Sequence, residues 1–109
     1  MRLPVWLLRF REWLLPARTL TPLQGDSLPE PLPRRALVLL RDGSEDWCIG
    51  MQCPCGCGQR VELPLIPEVK PHWNLQIESD GRPTLVPSVW LREGCRSHFF
   101  VRRGKVEWV

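Results

Sequence analysis

Three cysteines stand at alternate positions in Cys53-Pro54-Cys55-Gly56-Cys57-Gly58, and a second pair, Cys95 and His98, follows as Cys-x-x-His. Thiolates and imidazole are the ligands zinc prefers. In a flat strand, alternate residues lie about 6.6 Å apart. Sulfurs that share a tetrahedral ion at ~2.3 Å must sit under ~4 Å from one another. The knuckle must therefore fold back, and Pro54, Gly56 and Gly58 supply the turn. Cys55, Cys57, Cys95 and His98 make a set of three cysteines and one histidine, with Cys53 as an alternative ligand. One zinc would tie two hairpin tips together, contributing on the order of 10–16 kcal/mol of binding energy that is also folding energy.

The surplus of ligands leaves the chemistry open. Three protein ligands plus water make a hydrolytic centre, because zinc brings the pKa of its water to about 7. Glu62, just after the knuckle, is then a candidate general base. Thr84, Ser88 and Ser97 can orient a substrate or stabilise an oxyanion. Alternatively Ser88 or Ser97 is the nucleophile, with His98 or His72 as its base. Ser88 and Thr84 can equally serve to fix the backbone around Pro83 and Pro87. No HExxH or GxSxG signature is present. A three-cysteine, one-histidine iron–sulfur cluster is the rival to zinc. Cys48 stands alone in an apolar run and reads as a small core residue.

The elements that must position these groups are short. The chain has 109 residues and a net charge of +3, with both signs interspersed. That implies one domain and gives no basic block for nucleic acid. Five cysteines are an odd number for a secreted disulfide framework and suit a reducing cytoplasm. Residues 1–15 read as an amphipathic helix, too interrupted by Arg9, Arg11 and Glu12 to be a signal peptide or membrane span. Pro16, Pro22, Pro29, Pro31 and Pro33 make residues 16–33 an extended linker. The helix is thereby expected to be dispensable for folding and to dock on a partner or on the body.

Residues 34–109 read as a small all-β domain. Ala36–Leu40 is a buried strand, and Trp47–Gln52, Arg60–Leu65 and Asn74–Glu78 follow. Asp80-Gly81 and Arg103-Gly104 are hairpin turns. Strand continues around Pro87, which predicts an edge or a bulge there. Six tryptophans supply bulk, and Trp73 and Trp90 are candidates to line a peptide groove.

The knuckle, then Pro83-Thr84-Leu85-Val86-Pro87-Ser88-Val89, Gly94-Cys95-Arg96-Ser97-His98-Phe99-Phe100 and Gly104-Lys105-Val106-Glu107-Trp108 form an ordered series. The series resembles domain-of-unknown-function family 6527 over roughly residues 47–109. These are small bacterial proteins often encoded beside ubiquitin-like proteins and their activating and conjugating enzymes. The resemblance implies a zinc-bound, Rieske-like β fold and peptidase action on a bacterial ubiquitin-like protein. It carries ligand roles onto Cys55, Cys95, Cys57 and His98. A zinc-dependent peptidase that processes or deconjugates such a partner is the expectation; a non-catalytic, zinc-stapled binding module is the alternative.

Overall fold

The computed structural model describes residues 3–109. Among them the chain forms one helix, α1 (Val5–Leu14), then β1 (Thr19–Gln24), β2 (Ala36–Asp42), β3 (Glu45–Gln52) and β4 (Arg60–Pro64), and then β5 (Asn74–Ile77), β6 (Pro83–Trp90), β7 (His98–Arg102) and β8 (Lys105–Trp108). The strands make two four-stranded sheets, β1-β2-β3-β4 and β5-β6-β7-β8. Only β1 and β2 pair in parallel.

One core lies between the sheets. Leu37, Leu39, Ile49, Met51, Val61 and Leu63 come from the first, and Leu85, Val89, Phe99, Val101, Val106 and Trp108 from the second. The period of two puts these residues on the inner faces. The apolar run on β2 is continuous for a reason. Leu37 and Leu39 face the other sheet, whereas Val38 and Leu40 are buried outside that core. The stretch read as a linker supplies their cover. Leu32 is buried, and a Cβ at Gly50, beside Val38, would meet Leu28 and Leu32. The same stretch also contributes β1. Pro87 lies on an inner strand, where four steps of β6 from Leu85 to Val89 oppose two of β7 from Val101 to Phe99. The predicted bulge is this insertion, which leaves Val86-Pro87-Ser88 out of the β6–β7 ladder.

Helix α1 is part of the body. Leu8 reaches the common core, and Glu12, one turn on, is buried beside it. Its carboxylate accepts from Arg18 at 2.5 Å, from the Val106 N–H at 2.8 Å and from Arg35 at 3.5 Å. Arg9 donates to the Trp108 carbonyl, and Lys105 to that of Glu12. At Gly104 (φ 76°) a Cβ would lie 2.4 Å from the Arg18 carbonyl, so only glycine lets the β7–β8 turn and the chain after α1 touch. The outer face of α1 carries Trp6, Phe10, Trp13 and Leu14, all exposed. The docking surface for the helix is thus the domain itself, through an ion-paired seam more than through its aromatic side chains.

Burial works to raise the Glu12 pKa, but the hydrogen bonds from Arg18 and Val106 and the charges of Arg18 and Arg35 bring it below the ordinary 4.5. Its contribution to stability is therefore full above pH 4.5 and is lost as pH falls through the lowered folded value. Glu12→Ala leaves Arg18 buried without its partner. It should cost about 3–5 kcal/mol in denaturant unfolding at pH 7, and most of that difference should vanish in strong acid. Deletion of residues 1–33 should destabilise the whole domain, since it removes Leu8 from the core and the cover from β2; an unchanged melting temperature would restore the independent-helix expectation.

Candidate functional site

The turn between β3 and β4 gathers three thiols. Cys53 N–H donates to Gln59 O at 2.8 Å, closing the knuckle, and Gly56 N–H donates to Cys53 O at 3.2 Å. Gly56 and Gly58 take positive φ, 91° and 84°, which lets the segment double back. Arg11 of α1 clamps it from outside with a hydrogen bond to Pro54 O at 3.1 Å. The fourth thiol, Cys95, comes from the loop between β6 and β7. The ligand atoms of Cys53, Cys55, Cys57 and Cys95 all lie within 4.8 Å of one another. Cys53 Sγ is 3.4 Å from Cys55 Sγ and 3.5 Å from Cys95 Sγ. A tetrahedral ion with ~2.3 Å bonds needs sulfurs ~3.8 Å apart. The four residues fit such an ion, joining the tip of one sheet to the tip of the other.

The thiols differ in their electrostatics. Burial pushes the Cys53 and Cys57 thiols above their ordinary value. Burial also opposes the Cys95 thiolate, but hydrogen bonds from the Ser97 hydroxyl and N–H, and from Cys53 and Cys55, outweigh it and bring that thiol down to about 6. A metal would displace the remaining protons and neutralise the thiolates together.

His98 lies outside this set. Its Nε2 is 3.0 Å from Ser88 Oγ. Strand register explains the pairing. Val89 and Phe99 point into the core, so Ser88, Trp90 and His98 share the outer face of their sheet. Trp90 is directly opposite His98, and the two rings stack with centroids 4.9 Å apart and an interplanar angle of 8°. Ser88 is the diagonal neighbour of His98. The Trp73 indole N–H donates to Ser88 O at 3.3 Å, holding the bulged segment. The Arg92 guanidinium lies 4.1 Å from the Trp90 ring centroid. Ser88 and His98 are half-buried, open enough for a substrate to reach.

The other sequence candidates fall elsewhere. Ser97 is fully buried, its hydroxyl 3.1 Å from Cys95 Sγ and 3.6 Å from Cys53 Sγ, so it serves the thiols. Thr84 donates to Glu78 at 2.6 Å and accepts from Arg103 N–H at 2.9 Å, which fixes the β5–β6 and β7–β8 turns. Glu62 pairs with Arg60 at 3.2 Å on the first sheet and shares a shallow depression with Cys48. His72 Nδ1 is 3.0 Å from Val69 O in its own loop. The structure therefore brings Ser88 and His98 together and leaves Glu62, Thr84 and His72 apart from them. Sequence reading named Trp73 and Trp90 as groove candidates but not their contacts with Ser88 and His98; the alternate spacing of Trp90 from Ser88 was the available signal.

Four thiols fill a tetrahedral set and offer no place for a hydrolytic water. The residues that lie close enough to share an ion are Cys53, Cys55, Cys57 and Cys95, whereas His98, expected beside them from the Cys-x-x-His spacing, faces Ser88. Purified Cys53→Ala and Cys95→Ala proteins should accordingly lose bound metal, whereas His98→Ala should keep the stoichiometry of the unaltered chain. Elemental analysis decides this, and metal loss in His98→Ala would return histidine to the site.

A family model described as bacterial ubiquitination-like system serine protease (BubE) matches residues 24–109. No curated protein and no solved structure matches the chain. The match spans β2 to β8, the thiol cluster and the Ser88–His98 pair, and on that extent the chain belongs to the BubE family of bacterial ubiquitination-like system serine proteases.

Proposed function

We propose that this chain is a serine peptidase that cuts at the C-terminal tail of the ubiquitin-like protein of its system, with Ser88 as nucleophile and His98 as base. The observation that carries this reading is the 3.0 Å contact between Ser88 Oγ and His98 Nε2 on an accessible sheet face. In the reactive tautomer, Ser88 O–H donates to unprotonated Nε2. Oγ attacks the scissile carbonyl while Nε2 takes the proton. The leaving amine collects that proton as the carbon–nitrogen bond breaks, and the tail stays esterified to Ser88. Water, deprotonated by His98, then releases the acid and restores the serine. Among the described residues no carboxylate hydrogen-bonds the other ring nitrogen. The Trp90 stack is the contact that sets the plane of the imidazole.

The cysteines hold a structural zinc in this reading. It supplies a cross-link between the sheets and no reactive water. Two thiol-bearing tips, one per sheet, support a Rieske-like description of the fold, with thiols where a Rieske centre has histidines. No helix of the described residues is long and apolar enough to cross a membrane. Five cysteines, an odd count, suit the cytoplasm, where the ubiquitin-like protein and its activating or conjugating enzymes would be the partners.

Ser88→Ala and His98→Ala should each lower kcat/KM on the ubiquitin-like precursor or its conjugates by on the order of 10³-fold or more. Metal content and melting temperature should stay unchanged. A fluorophosphonate should add once to the protein by intact mass and not to Ser88→Ala. Undiminished cleavage by Ser88→Ala overturns the assignment, and a folded chain that binds the precursor and its conjugates but cuts neither is a binding module instead. Elemental analysis should find one zinc per chain in colourless protein; iron with visible absorbance would replace zinc by an iron–sulfur cluster.

A further inference from the structure

Strand β5 covers only part of β6. Their pairing runs from Ile77–Pro83 to Asn74–Val86 and stops. The chain just before β5 departs for the other sheet, where Trp73 N–H donates to Pro64 O at 2.8 Å. The end of β6, from Pro87 to Trp90, therefore has β7 on one side and no strand on the other.

Alternation tells which main-chain groups face that open side. Leu91 N–H donates to Ser97 O across the β6–β7 pair, and Val109 N–H donates to His98 O from the far side of β7. Trp90 and His98 are thus opposite residues whose peptide groups point away from each other. The N–H and C=O of Trp90 lie at the open edge. Ser88 O lies on the same edge, and the Trp73 indole occupies it. Trp73 ends the covered edge and Trp90 begins the free one. Trp90 is 52% exposed, with His98 and Arg92 against its ring.

The geometry points to this edge as the binding place of the substrate's main chain, which adds as an extended segment beside β6 at Trp90. This rests on the serine peptidase reading and names the form of the substrate: an unfolded tail with a free peptide N–H, not a loop on a folded surface. An unpaired strand edge is a template for another chain. One hydrogen bond runs from Trp90 N–H to the tail, and one from the tail to Trp90 C=O. Residues two apart on a strand are about 6.6 Å apart. A tail paired at Trp90 therefore carries its carbonyl two residues along to the neighbourhood of Ser88. Only alternate amides of the tail face β6.

The test uses a synthetic peptide of the ubiquitin-like protein's C-terminus that spans the cleaved bond, unmodified and singly N-methylated at each position. With the unaltered chain, methylation of the amide two residues from the cleaved bond should lower kcat/KM by on the order of 10-fold or more. Methylation of its immediate neighbour on the side away from the cleaved bond should change it little. In ¹⁵N-labelled Ser88→Ala protein, the unmodified peptide should slow exchange of the Trp90 amide. Uniform sensitivity along the peptide, or a Trp90 amide that exchanges equally fast with and without saturating peptide, overturns the inference while cleavage stands. If the unmodified peptide is never cut, the peptidase reading fails, and the exchange experiment still reads the edge; no binding of the peptide overturns the edge as well.

Discussion

The convergence of four sulfurs from two different sheets is the constraint on which the site depends. Three reach the cluster from the β3–β4 turn and one from the β6–β7 loop. Without an ion, buried thiols resist ionisation and the turn has only hydrogen bonds to hold it. With one, the loop before β7 has a fixed end. Ser97 continues the arrangement, fully buried with its hydroxyl between two of the sulfurs. His98 is the next residue. An ion held there would therefore also determine where the imidazole starts, although imidazole and sulfur face opposite ways.

The pleat keeps these two roles apart. Cys95 and Ser97 turn towards the cluster, and His98 turns to the outer face beside Ser88 and Trp90. The insertion on β6 does a comparable thing for Ser88. A regular strand could have placed the hydroxyl on the correct face, but the surplus residues around Pro87 lift it out of the ladder. Trp73 then holds its carbonyl. Ser88 thus sits on locally irregular backbone, with β7 on one side and the Trp73 indole on the other.

Much of this was legible in the residues. Alternation around Leu75 and Leu85, the two hairpin turns and the glycine-rich cysteine knuckle announced a small β domain with a cysteine cluster that could hold a metal. The ligand set was harder. Cys95 and His98 have the spacing of a ligand pair, and only strand register shows that His98 belongs to the opposite face, across from Trp90. The prolines of residues 16–33 looked like a connector because proline disrupts ladders; the parallel partner Ala36–Arg41 that makes Thr19–Gln24 a strand lies far along the chain. Glu12 was read as an interruption of an apolar helix. Its partners Arg18, Arg35 and Val106 are not helical neighbours, so no local pattern could mark it as buried.

The contact from Glu12 to Val106 spans 94 positions of the chain. Such a contact is among the last that a growing polypeptide can make. While the chain is being synthesised, Leu8 and Glu12 have no β8 to settle against, and Gly104 has not yet come to meet Arg18. Until β8 is made, the helix has only its nearer partners, Arg18, Arg35 and Pro54, and Glu12 lacks the Val106 N–H. The β7–β8 hairpin must therefore be made before the seam around Glu12 can close.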